Sequence, residues 1–197
     1  MKRIGYLKLE FIILLKTRKI SRVTYNILIY DDKERVFYMK VAVVMGSISD
    51  KEVADKSVEI LEKFDIDVEM RVISAHRTPY EAMEFAKKAE DEGIEVIIAI
   101  AGKAAHLAGV IAAITPLPVI GLPIKSSTMD GMDSLLSIVQ MPKGVPVATV
   151  AINGGENAGL LAVQILSVKY PELRNKFKEY KIEMAKQVKE MDAKVKK

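Results

Sequence analysis

The sequence predicts an α/β fold: three layers, α/β/α, around a doubly wound parallel five-stranded sheet, closed by a long C-terminal helix. Two observations carry this. Five short β-branched runs recur, KVAVVM (40–45), VEMRVIS (68–74), EVIIAIAG (95–102), PVIGLP (118–123) and PVATVAI (146–152), without polar alternation, as strands covered on both faces require. Between them lie segments at helical spacing, 51–64, 79–92, 104–114, 131–139 and 156–168, each long enough for the right-handed crossover that joins parallel strands.

Taken in order, the strands bring chemistry with them, because ligands of an open parallel sheet bind outside the carboxyl ends of its strands. The first runs into Gly46-Ser-Ile-Ser-Asp50, where glycine permits a tight turn and Ser49 with Glu52 fits the S-x-x-E capping box. Hydroxyls and free N–H groups at a helix start make an anion site. Asp50 would be repelled by a phosphate and suits sugar hydroxyls better. An ordinary capped turn is the alternative for this loop taken alone.

The second strand leads into Ser74-Ala-His-Arg-Thr-Pro79. Thr78-Pro-Tyr-Glu81 is a second capping box with proline at the first helical position, so the helix starts there. His76 and Arg77 therefore fall between strand end and helix. The arginine fork suits a phosphate, and histidine is the side chain that exchanges protons near neutral pH. A solvated arginine and a backbone-bonded histidine are the alternative. The third strand ends in Ala101-Gly-Lys-Ala-Ala-His-Leu-Ala-Gly109, which holds the other histidine, His106. Its small residues admit close approach of a ligand to backbone. Lys103 either adds positive charge there or points to water. Together the three loops hold both histidines of the chain, a pattern that favours a phosphate-bearing ligand and proton transfer.

The last helix, over 172–194, repeats apolar residues at Leu173, Phe177, Tyr180, Met184 and Val188, a stripe suited to a second subunit. Residues 1–38 stand apart from this rhythm. Ile27-Leu-Ile-Tyr30 and Val36-Phe-Tyr38 can form a small hairpin, and Met39-Lys40-Val41 reads as a natural start, so the segment is expected to be a start-site artefact or a peripheral appendage. The remainder divides into a catalytic domain, 39–170, and the terminal helix, 171–197.

The net charge of +4 does not indicate a nucleic-acid ligand. Residues 1–38 hold nine Lys/Arg against four Asp/Glu, which leaves the rest of the chain with 21 against 22. The absence of cysteine excludes disulfides, thiolate catalysis and thiolate metal sites. The apolar run Phe11-Ile-Ile-Leu-Leu15, flanked by Glu10 and Lys16, is too short to span a membrane, so a cytoplasmic protein without membrane partners is expected.

GSISD (46–50), SAHRTP (74–79), AGKAAHLAG (101–109) and SIVQMPKGVPVATVAI (137–152), in this order, resemble the N5-carboxyaminoimidazole ribonucleotide mutase family of purine biosynthesis. The resemblance covers roughly residues 39–166 and implies a flavodoxin-like strand order, 2-1-3-4-5. It implies transfer of a carboxylate from the exocyclic nitrogen of the substrate to ring carbon C4, by release and recapture of carbon dioxide. It further implies His76 as general acid and base, Ser47, Ser74 and Arg77 on the phosphate, and Asp50 on the ribose. Ser49 and the run Gly102, Lys103, Ala104, His106 and Leu107 would hold the carboxylate or carbon dioxide. No metal or organic cofactor is implied, and a homo-octamer is, with active sites where subunits meet.

Members of that family usually have glycine at the position of Lys103 and proline at that of Ala108. A related class carboxylates aminoimidazole ribonucleotide directly, typically with Ser-Asn-Gly in place of Ala104-Ala-His-Leu107. A carboxylase of another mononucleotide and a non-catalytic nucleotide-binding protein are further alternatives on the same fold.

Overall fold

A computed structural model describes residues 39–196. The expectations for residues 1–38 lie outside them. Five strands form one sheet in the order β2-β1-β3-β4-β5, and every pairing is parallel. They are β1 (Lys40–Met45), β2 (Asp67–Val72), β3 (Ile94–Gly102), β4 (Val119–Ile124) and β5 (Ala148–Thr149). The order is the one the family resemblance implies.

Alternation of side chains along the strands divides the core in two. Val41, Val43, Ile98, Ile100, Ile120 and Leu122 pack with α1 (Lys51–Lys63), α5 (Gly155–Leu166) and the start of α6 (Pro171–Val195). Ala42, Val44, Ile97, Ala99 and Val119 pack with α2 (Pro79–Lys88), α3 (Leu107–Ala112) and α4 (Met132–Val139) on the other face. This is the doubly wound arrangement. α1 and α5 cross closely because Gly159 carries no side chain: a Cβ there would lie 2.9 Å from the Ser57 carbonyl oxygen. The Ser57 hydroxyl donates to the Gly155 carbonyl across the same crossing, at 2.8 Å.

The sequence expectation fails at the sheet's two edges. β1, β3 and β4 are buried on both faces, whereas β2 is largely half-buried or exposed along its length. Its Glu69 pairs with both Lys40 and Arg71, charged side chains that suit an edge. β5 shrinks from the expected 146–152 to two residues, paired only through Ile120↔Ala148 and Gly121↔Thr149. The helix expected over 104–114 begins only at Leu107, so the residues following β3 stay in an open loop.

The ladder carries on into the loops at the carboxyl edge. The Gly46 amide donates to the Ile100 carbonyl at 2.9 Å, and the Ile73 amide to the Met45 carbonyl at 2.9 Å. The roots of the first two loops are thereby fixed to the sheet.

Candidate active site

The loops after β1, β2, β3 and β4 enclose a cleft of about 630 Å³. From the first come Ser47, Ser49 and Asp50. Here the expected capping box does not form. Ser47, not Ser49, caps the short 3-10 turn Ile48–Asp50, its oxygen accepting from the Ser49 amide at 3.4 Å. The Ser49 hydroxyl instead donates to Asp50 Oδ1 at 3.1 Å. Asp50 is 8% exposed, and burial pushes its carboxyl up from the ordinary value, against the hydrogen bonds from Ser49 and the Ser47 backbone.

Ser74, His76 and Arg77 come from the second loop. α2 does begin at Pro79, but the Thr78 hydroxyl does not cap it. It turns back on Ser74 instead, donating to the carbonyl and accepting from the amide, both at 3.1 Å. The loop is thus closed on itself, and Ser74 Oγ is left to accept from the Arg77 amide at 3.2 Å and Nε at 3.4 Å. Arg77 Nη2 reaches across to donate to the Gly46 carbonyl at 3.0 Å. The guanidinium therefore bridges the first two loops and presents its remaining donors to the cleft.

The third loop supplies Gly102, Lys103, Ala104, His106 and Leu107. Lys103 sits in the left-handed region at φ 56°. A non-glycine residue held there stores backbone strain of about 1–2 kcal/mol, and glycine is the residue that relieves it. Beyond it, His106 Nδ1 lies 2.9 Å from His76 Nε2, with the rings edge to face. At that separation one nitrogen donates and the other accepts, so the two rings share one proton on their common edge. Both histidines, from separate loops, thus meet at one point of the cleft.

A fourth contributor is not among the residues the sequence singles out: Lys125, Ser126 and Ser127, which follow β4, with Ile124 at the strand's end. In sequence they look like an ordinary polar turn. The signal that identifies them is positional, since they occupy the same strand end as the other three loops. Among the described residues no group of three or more His, Asp or Glu is gathered as a metal site. Nor is any described helix long and apolar enough to cross a membrane.

Comparison with known proteins agrees with this architecture. The family model described as AIR carboxylase matches residues 40–187. The N5-carboxyaminoimidazole ribonucleotide mutase of Thermotoga maritima is 60% identical over 149 residues, covering 76% of this chain and 87% of that one. A phosphoribosylaminoimidazole carboxylase of Candida glabrata is 50% identical over 173 residues, 88% of this chain but 30% of the relative. Among solved structures, PurE of Treponema denticola superposes with a TM-score of 0.72 at 32% identity, covering 80% of this chain and 99% of that one.

Proposed function

The chain belongs to the AIR carboxylase family, and from that membership we propose that it is an enzyme of purine biosynthesis, an isomerase that converts N5-carboxyaminoimidazole ribonucleotide to 4-carboxy-5-aminoimidazole ribonucleotide. The observation that carries the reading is the histidine pair, His76 and His106, 2.9 Å apart in a cleft that also holds Arg77. The reaction needs such a group twice. The exocyclic C–N bond of the carbamate breaks, carbon dioxide is freed, and the nitrogen takes a proton. C4 then attacks the carbon dioxide, and the proton on C4 must leave. His76 gives the first proton and takes the second, so that no net proton is exchanged.

The other residues bind and orient. Ser47, Ser74 and Arg77 hold the phosphate, and the charge-assisted bonds of the arginine fork anchor it. Asp50 takes the ribose hydroxyls. Ser49, Gly102, Ala104 and Leu107 surround the carboxylate or carbon dioxide, with Lys103 supplying positive charge to it. His106 orients His76 through their shared hydrogen bond.

A carbon dioxide intermediate demands a closed pocket, yet in the single chain His76, Arg77, Lys103 and His106 are all exposed. Large apolar side chains stand exposed in or beside the same loops, among them Ile48, Tyr80, Met83 and Met129. This supports a homo-octamer whose neighbouring subunits complete the wall.

Direct carboxylation of 5-aminoimidazole ribonucleotide is a second reading, favoured by the name of the Candida relative. The Ala104-Ala-His-Leu107 run weighs for the mutase. Supplying the two ribonucleotides separately decides between them. Turnover of the carbamate without added bicarbonate is expected; turnover of 5-aminoimidazole ribonucleotide with bicarbonate, and none of the carbamate, overturns the mutase reading.

A further inference from the structure

The loop after β4 is built as carefully as the three that the proposed mechanism uses. Register pairs Gly102 with Ile124, so Lys103 and Lys125 are the next residues beyond two adjacent parallel strands. Both line the cleft. Around Lys125 the backbone is held from three sides. Its amide donates to Asn153 Oδ1 at 2.9 Å, and the Ser134 hydroxyl donates to the Ile124 carbonyl at 2.7 Å. The buried Ser126 hydroxyl is held between both oxygens of Asp133, at 3.0 Å each. Asp130 and Gly131, at φ 56° and 93°, fold the chain back on itself, and a Cβ on Gly131 would lie 3.1 Å from the Lys125 Cα.

The ammonium at the end of this fixed root is held differently. Lys125 Nζ lies 2.7 Å from Asp130 Oδ1, with the side chains 58% and 79% exposed. A pair so open to water is held weakly, so another anion can replace the aspartate. The cleft favours one. Its lining holds Arg77, Lys103 and Lys125 against a single carboxylate, Asp50.

We propose that Lys125 is a binding residue for the carboxylate end of the ribonucleotide, its ammonium leaving Asp130 for that anion and joining Lys103 in a dicationic end of the cleft. The inference rests on the function proposed above. Strand order assigns Lys125 to the carboxylate rather than the phosphate. The phosphate set lies on the loops of β1 and β2, whereas β4 is on the far side of β3. With neighbouring strands about 4.8 Å apart, β4 is about 10 Å from β1 and 14 Å from β2.

Titration calorimetry on the full chain tests it with two ligands that differ only in the carboxylate, 4-carboxy-5-aminoimidazole ribonucleotide and 5-aminoimidazole ribonucleotide. Lys125→Gln is expected to weaken the first about tenfold, the scale of a lost charge-assisted hydrogen bond, and to leave the second within about twofold. Lys125→Arg restores most of the loss. Asp130→Asn, a residue equally at home at that left-handed position, frees the lysine and tightens the first ligand by about twofold. If Lys125→Gln weakens both ligands alike or neither, or if Asp130→Asn weakens binding as Lys125→Gln does, the pair is structural and the inference falls while the proposed function stands. Failure of the unsubstituted chain to bind either ligand removes the proposed function and the inference with it.

Discussion

His76 and Asp50 place different demands on the protein, and each can be tested by one substitution. Replacing His76 by Asn keeps a polar side chain in the loop but removes the proton carrier proposed above. Turnover is expected to fall by ~10²-fold or more while ribonucleotide affinity stays within about tenfold; stopped-flow rates and calorimetry measure the two separately. Asp50 has its carboxyl pushed up by burial. With the folded value above the unfolded one, its stabilising contribution is complete below the unfolded value and is lost as pH rises through the folded one. Asp50→Asn is therefore expected to raise the thermal midpoint at pH 7, and the gain should vanish near pH 3, where the parent's carboxyl is protonated in both states. The same change should lower turnover about tenfold, because the charged acceptor proposed for the ribose is gone. A melting curve and a rate assay on one preparation check both signs. At this scale the sequence identified residue types well and local partners poorly. Ser49 and Thr78 match the capping pattern in spacing, but their hydroxyls donate to the Asp50 carboxylate and the Ser74 carbonyl and cap no helix amide. A pattern of four residues does not register that competition.

At the scale of elements, the legible strands were those with uniform surroundings. β1, β3 and β4 have helices on both faces and neighbours on both sides, and their apolar runs say so. β2 and β5 are edges, and an edge is a property of strand order, which the composition of one run does not encode. Pro146 and Pro142 near the expected fifth strand were the available warning, since proline cannot extend a ladder. The terminal helix α6 mixes two environments along one apolar stripe. Leu173 is fully buried, and Phe177 and Tyr180 stack about Phe64 with ring centroids 6.1 and 5.8 Å away. Further along, Val188 is 61% exposed and Met191 57%. The first turns therefore belong to this chain's own core. Leu173→Ala is expected to destabilise the protein by ~2–5 kcal/mol, measured by urea unfolding. Val188→Ala should change monomer stability by less than about 0.5 kcal/mol, as an exposed position does.

On the scale of the whole molecule, the cleft exists because four loops leave one edge of one parallel sheet, and that much was readable from the rhythm of strands and helices. The fourth loop escaped because Lys125, Ser126 and Ser127 carry no motif of their own; only register with β3 identifies them. The open mouth of the cleft and the exposed stripe of α6 give the assembly a defined prediction. Light scattering on the purified chain is expected to return the mass of eight subunits, and a monomer or dimer mass would contradict the octamer. The central claim, that one carboxyl carbon moves from nitrogen to C4 without leaving the site, is tested most directly by isotope. The enzyme is given N5-carboxyaminoimidazole ribonucleotide labelled with ¹³C in its carboxylate, in buffer containing unlabelled bicarbonate, and the product is analysed by mass spectrometry after a single turnover. Retention of the label at the C4 carboxylate is the predicted result. Product carrying carbon from the medium instead would contradict it, and would mean that the cleft carboxylates its ribonucleotide from dissolved carbon dioxide.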